Sequence, residues 1–415
     1  MHLADANKSH KKTILVLAGS QWQIPIVLKI HKMGLLSLVI NLHEDSPAFK
    51  FADYWEVADI LDKEKCLAIA EKYAVSGVVS EQCDIAVPTV AYIAEKLGLP
   101  ALKSDSAELY TNKLSMREFC QKHGFSYPEY SLCRNSDEVL NFFNKTKREI
   151  IIKPLDANSS RGIHSIDNKA NIPKCFSDAV SYSKQENAVI AERYISGPEF
   201  TVDGIVADGK HHSLAVSIKS HYQHNKNIAY ELFFSHLHEQ YDYDLLRRIN
   251  DRFIEKSKLR EGTLTHSEYK FEDGKFYLIE TAARGGGNLV ASHLVPLISG
   301  FDNYQYYLNT AIGATNRDFP KAIHSSLKER CAVLHFFTTP APSGVVTAIE
   351  GKEFLDSSPK VIAFRLNFTI GDTINEAAND ASRIGFYIAY AETRDKLLSF
   401  QRQISQRFSI RMEPL

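Results

Sequence analysis

Ile14 to Ala18 is a short apolar, β-branched run; Gly19-Ser20 follows it, and then an apolar-periodic stretch from Ile24 to His31, so this opening reads as strand, glycine turn and helix. Leu36 to Asn41 supplies a second strand, and the pattern continues with a helix over Lys63 to Tyr73, a strand over Gly77 to Ser80 and a helix over Val87 to Leu97. Strands alternating with helices predict a parallel, doubly wound sheet, closed by Gly98-Leu99-Pro100. From Ser104 the character turns to α+β. One helix is predicted over Ala107 to His123, stopped by Gly124, and then short strands at Glu149 to Lys153 and Ala188 to Arg193. Between Thr201 and Tyr277 several strands flank a charged helix, Asp242 to Lys258. Beyond Pro320 the pattern is β-rich, with strands at Cys331 to Thr338, Gly344 to Glu350 and Val361 to Phe368, and a last helix at Glu392 to Ser405.

A chain of 415 residues exceeds a single core and predicts three or four lobes. Apolar residues at 44% and charged ones at 24% fit a chain folded nearly throughout. With 49 basic and 50 acidic residues, no global field recruits nucleic acid or an anionic membrane, which leaves small molecules as the expected partners. The six cysteines form no C-x-x-C pair and read as reduced core thiols. No apolar run reaches the roughly 18 residues of a membrane helix, and the first ten residues are polar, so the cytoplasm is the expected location.

Four features point to phosphate and divalent metal. Lys153 ends the apolar strand Ile150-Ile151-Ile152, and a second isolated lysine, Lys113, precedes it on a predicted helix. A lysine snorkelling from a strand end is the plain alternative. The loop Asp156 to Ile163 carries Ser159, Ser160 and Gly162, small residues that let backbone N–H groups turn toward an anion. It has neither Walker nor G-x-G-x-x-G spacing, which argues against a Walker NTPase or a Rossmann dehydrogenase. The run Val189 to Glu199 places Glu192, Arg193, Tyr194 and Ile195 before a Gly-Pro turn and Glu199 after it, which fits a nucleotide site as well as a solvated connector. Last, Glu268 and Glu280 lie in two strands expected to be largely buried, where an unpaired carboxylate is costly. Mg²⁺ shared with phosphates meets that cost, with Arg284 as a further counter-charge; a structural Glu to Arg pair is the alternative.

Register tests this pairing. A two-residue Asp273-Gly274 loop with a regular ladder would put Glu268 across from Ile279, and the two glutamates on opposite faces. A three-residue loop, Asp273 to Lys275, or an equivalent bulge places Glu268 across from Glu280, and this is the expected arrangement.

In this order Lys113, Lys153, the Ser/Gly loop, Glu192 to Glu199, Glu268 and Glu280-x-x-x-Arg284 resemble the ATP-grasp superfamily over about the whole chain, in particular the carboxylate-amine ligases similar to bacterial L-amino-acid ligases and the carbamoyl-phosphate-synthase and biotin-carboxylase branch. The resemblance implies an α/β and α+β fold: a Rossmann-like pre-ATP-grasp domain over 1–105, an ATP-grasp domain over 106–320 with a lid at about 125–200, and a small β-rich domain over 321–415. It implies ATP and Mg²⁺, with Mn²⁺ as the replacement ion. Lys113 and Lys153 would contact phosphates beneath Ser159 to Gly162, Glu192 to Ile195 would form the adenine hinge, and Glu199 would bind ribose. Glu268 and Glu280 would ligate the metal, and Arg284, with Lys153, would steady an acyl-phosphate. Many members carry Glu-x-Asn-x-Arg; here the middle position is Ala282, so Asn288 is the candidate substitute ligand.

The implied reaction joins a carboxylate to an amine, after ATP has turned the carboxylate into an acyl-phosphate in a site closed to water. A bicarbonate-activating carboxylase and a catalytically silent ATP-binding regulator are the competing readings. His221, Tyr222, His224, Tyr230 and Arg284 are candidate substrate-lining groups, the Gly19-Ser20-Gln21 loop is placed near the carboxylate substrate, and the C-terminal lobe with Arg383-Ile384-Gly385 either shapes the amine pocket or supports a homodimer.

Overall fold

The strand Thr13–Leu17 is buried along its whole length and pairs in parallel with Leu36–Asn41 on one side and Gly77–Ser80 on the other, as an apolar strand covered on both faces by helices does. The computed structural model describes residues 11–156, 161–183, 187–316, 319–320 and 323–414. A fourth strand, Tyr54–Val57, joins the edge beside Leu36–Asn41; its mixed sequence gave no periodic signal.

The helix expected over Ala107 to His123 is two helices, Ser104–Leu109 and Lys113–His123. Asn112 breaks it: its backbone is extended and its side chain accepts from the N–H groups of Leu114 and Ser115, a capping arrangement that starts the second helix. Lys113 is therefore the first residue of a helix, and its own N–H donates to Leu155 O at 3.1 Å.

A four-stranded antiparallel sheet follows, ordered Tyr130–Cys133, Val189–Arg193, Ile150–Pro154, His164–Ile166, and the helices Ser136–Thr146 and Ile172–Ser181 close a small core on it around Phe142, Ile152 and Val189. The central sheet has eight strands, all antiparallel, ordered Lys275–Ala282, Leu264–Glu272, Glu199–Ala207, Lys210–His221, Ala229–Phe234, Cys331–Phe336, Gly385–Ala391, Val361–Leu366. The chain beyond Pro320 thus adds three strands to this sheet. A further three-stranded sheet, Thr373–Asn375, Ser343–Glu350 and Ser409–Pro414, packs with the helix Arg394–Arg407 on a shared core that includes Val333, Leu397 and Phe400. Among the described residues no helix is long and apolar enough to cross a membrane. The six cysteines are free thiols, four of them buried.

Candidate active site

Glu268 and Glu280 are direct partners across the strands Leu264–Glu272 and Lys275–Ala282. The turn between the strands is nonetheless the two-residue one: Glu272 pairs with Lys275, and Asp273 and Gly274 take φ of 50° and 75°. Asp-Gly suits both left-handed positions of such a turn, which is why the three-residue loop does not form. The register is shifted further along. Tyr269 pairs with Leu278 and Glu268 with Glu280, so Ile279 is the extra residue of a bulge, and its carbonyl accepts from Arg117 Nη2 at 2.5 Å. Contrary to the expectation of burial, the two glutamates open into a cavity of about 430 Å³, with 26% and 39% of their side chains exposed.

The cavity lies where the N-terminal sheet, the four-stranded sheet and the central sheet meet. It brings together Lys153, Glu192, Arg193, Tyr194, Ile195, Glu199, Glu268, Glu280, Arg284 and Asn288 from the residues singled out in sequence. Lys113 stands behind this surface, nearly fully buried, with Nζ 3.0 Å from Glu280 Oε1. Ser159 and Ser160 lie outside the described residues. Gly162 has φ of 67°, and a Cβ there would sit 2.8 Å from the Tyr182 ring and 3.0 Å from Pro154 Cγ, so the loop packs against its own strand only with glycine. Its neighbour Ile163 lines the cavity. Of the substrate-lining candidates, His221 and Arg284 reach the cavity, whereas Tyr222 is turned to Phe337 O and His224 to Ala377 O.

Glu192 is fully buried, 2.6 Å from Arg117 Nε and 2.8 Å from Lys153 Nζ. Burial alone would raise its pKa; the Arg117 and Lys153 cations more than offset that and hold it at about 2. This carboxylate therefore fixes the direction of Lys153. The segment that follows is tied as well: Arg193 Nη1 donates to Glu272 Oε2 at 2.5 Å, and Lys270 lies 4.5 Å from the Tyr194 ring centre and donates to Ile195 O at 3.1 Å. Lys219, on the strand Lys210–His221, lies 2.6 Å from both Glu199 Oε1 and Glu268 Oε1. Against the opposing effect of burial, this partner pushes Glu268 down to about 2.

Arg284, expected as a counter-charge to the glutamates, makes its direct pair elsewhere. Its Nε and Nη2 each donate at 2.8 Å to one oxygen of Asp84, a bidentate grip from the N-terminal sheet, and Nη1 donates to Gly285 O. His266 Nδ1 lies 2.8 Å from Asp203 Oδ1 and Nε2 lies 3.6 Å from Glu268 Oε1. Burial opposes a charged ring, yet Asp203, aided by Glu268, raises its pKa to about 9. At neutral pH, then, His266 is an imidazolium behind Glu268. Asn288 and Leu289 both take left-handed backbone, with φ of 52° and 67°, ahead of a π-helical turn over Val290–Leu294.

Gly286 underlies this arrangement. A Cβ on it would lie 2.5 Å from Asp203 Oδ1 and 2.9 Å from His266 Nδ1. Gly286→Ala should force the pair apart and lower stability in urea unfolding by about 1–3 kcal/mol, the usual cost of overpacking. A variant as stable as the native chain would show that the pair has room to move.

Sequence reasoning missed Arg117, Asp84, Asp203, Lys219 and His266. Lys219, with Ser217 and His221, occupies alternate positions of one strand face, a polar alternation that could have marked it. His266 lies two residues before Glu268 on the same strand, so alternation could have marked it too, whereas Asp84, Arg117 and Asp203 come from other elements that only the fold brings near the site.

For a divalent ion, the two register-paired carboxylates fit a Mg²⁺ that keeps phosphate and water ligands, and among the described residues no group of three His, Cys, Asp or Glu forms a full cage. Residues 146–292, which hold the Lys153 strand, Arg193 to Ile195 and both glutamates, match the family model described as ATP-grasp domain. The chain carries an ATP-grasp domain. Downstream of this ATP-grasp domain, residues 335–413 match L-amino acid ligase C-terminal domain 2. The chain is similar to formate-dependent phosphoribosylglycinamide formyltransferase of Chlorobaculum tepidum, 25% identical over 187 residues, 44% of this chain and 47% of that protein. It therefore spans about half the length of such curated relatives. Two solved structures share the fold around the ATP-grasp domain. One is L-amino acid ligase from Bacillus licheniformis, with TM-score 0.80, 19% identity and coverage of 97% of this chain and 99% of that one. The other is the biotin carboxylase domain of Hydrogenobacter thermophilus 2-oxoglutarate carboxylase, solved with MgADP, ADP and bicarbonate, with TM-score 0.75, 15% identity and coverage of 97% and 91%.

Proposed function

We propose that this chain is an ATP-dependent carboxylate-amine ligase that forms a C–N bond through an acyl-phosphate and releases ADP and phosphate. The observation that carries the reading is the facing pair Glu268 and Glu280 in one cavity with Lys153 and Arg284. Mg²⁺, or Mn²⁺ in its place, would neutralise phosphate charge at these two carboxylates when it arrives with the nucleotide. Lys153, held by Glu192, would meet the transferring phosphoryl group, and Arg284, held by Asp84, would stabilise negative charge on the activated carboxylate. Arg193 to Ile195 would seat adenine, and Glu199 the ribose. Ser159, Ser160 and Gly162 would close over the phosphates and exclude water, with Asn288 the candidate further metal contact. Lys113, whose ammonium lies 3.0 Å from Glu280, would be a further phosphate contact beside that carboxylate.

The substrate end is lined by Gln21, Trp22 and Gln82 from the N-terminal sheet and by Phe336, Arg383 and Phe386 from the C-terminal strands. A polar, partly aromatic wall of this kind suits small zwitterionic or amphipathic acids and amines. The match to an L-amino acid ligase C-terminal domain over those strands favours amino acids or short peptides. The cytoplasm, where ATP is abundant, fits this chemistry.

Incubating the protein with Mg²⁺-ATP and pooled carboxylates and amines should release ADP and phosphate only when both substrate types are present. Release of AMP would overturn the acyl-phosphate route, and ADP release that depends on bicarbonate alone would favour a carboxylase.

A further inference from the structure

Lys219 is a cation seated where another cation is expected. Its ammonium lies 2.6 Å from Glu268 Oε1, on the residue paired in register with Glu280, and 2.6 Å from Glu199 Oε1. His221 Nε2 lies 3.3 Å from Glu199 Oε2, Lys270 Nζ lies 4.0 Å from the same oxygen and His266 Nε2 lies 3.6 Å from Glu268 Oε1, so nitrogen-bearing side chains crowd both carboxylates. A divalent ion on Glu268 would bond that carboxylate at about 2.1 Å, beside the ammonium already on it. Two such cations cannot share it without strong repulsion, since a divalent and a univalent charge about 4 Å apart repel by several kcal/mol even at a protein-like dielectric.

We infer that Lys219 is a resident counter-ion that keeps free divalent metal out of the Glu268–Glu280 site and yields only to metal delivered on a polyphosphate. The inference rests on the reading of those glutamates as metal ligands. Polyphosphate supplies the negative charge that free metal lacks, so the ammonium no longer has to neutralise Glu268. Lys219 need not leave the site, because Glu199 still holds it. The consequence is an obligatory order: metal enters with the nucleotide, and empty enzyme is not occupied by cytosolic Mg²⁺.

The test is Mn²⁺ binding, followed by electron paramagnetic resonance on the full chain without nucleotide. Native protein should bind Mn²⁺ weakly. Lys219→Met and Lys219→Gln should each bind it at least ten-fold more tightly, Lys219→Arg should behave as native, and adding Glu268→Gln to Lys219→Met should abolish the gain. The double variant Glu199→Gln with Lys219→Met removes one charge of each sign and guards against a single variant that fails to fold; it should show the same tighter binding. A purely structural lysine would lower the melting temperature without raising metal affinity. Variants that bind Mn²⁺ with ADP yet bind free Mn²⁺ no more tightly than native protein would overturn the counter-ion role. Should Mn²⁺ binding in the presence of ADP be indifferent to Glu268→Gln in the native background, the metal-site reading itself falls, and the inference with it.

Discussion

Glu280→Gln should cut ADP release by about 10²–10³-fold or more, the scale seen when one group that stabilises transition-state charge is removed. The amide keeps the shape of the side chain and can still accept from Lys113, which lies 3.0 Å away, but it cannot neutralise a divalent ion. Lys113, nearly fully buried, then loses the charge of Glu280, so a stability loss of about 1–3 kcal/mol should accompany the change. The measurement is initial-rate ADP release beside a urea melt: a folded, inactive variant supports the metal-site reading, and a folded variant with native activity removes Glu280 from it. Metal binding in the presence of ADP should weaken in parallel, which separates loss of the ion from loss of the fold.

Arg117→Met should destabilise the protein by about 3–5 kcal/mol, the cost of breaking a buried ion pair from one side. Arg117 is fully buried, 2.6 Å from Glu192, and its other arm pins the bulged Ile279 carbonyl, so one substitution strikes both the anchor of Lys153 and the register that pairs Glu268 with Glu280. Activity should fall even in the fraction that folds. The acid limb of stability gives a second readout. Glu192 has its pKa lowered from 4.5 to about 2, so its contribution is complete above about pH 4.5 and is lost as pH falls toward 2. Without Arg117, burial is opposed by Lys153 alone, the carboxyl protonates at higher pH, and the acid midpoint of unfolding should move up. An unchanged acid midpoint would show that Lys153 alone carries the charge of Glu192.

These two residues also show how far the site could be read in advance. Glu280 was visible because a carboxylate inside an apolar strand demands an explanation, and Glu268 because it lies in the paired strand. Arg117 was not visible. It sits in the charged run Met116-Arg117-Glu118 of a helix, where an arginine normally faces water, and nothing local says that this one faces inward. Asp84 is similar, an acid just after a strand whose partner, Arg284, lies 200 residues further on. The register argument shows the intermediate case. Sequence demanded that the two glutamates share a face, but offered two devices for it. The Asp-Gly pair then favoured the tight turn, and the shift moved to Ile279, where a helix from another part of the chain supplies the donor that holds it.

Sequence alone determined the alternation of buried strands and helices, the parallel N-terminal sheet and the order of the charged residues along the chain. These follow from periodicity, which is local. Only the tertiary structure decided which cation meets which carboxylate, namely Lys113 with Glu280, Lys219 with Glu268 and Glu199, Arg117 and Lys153 with Glu192, and Arg284 with Asp84. Ion pairing depends on separations of a few ångströms between elements far apart in the chain, and no spacing in a sequence records those distances.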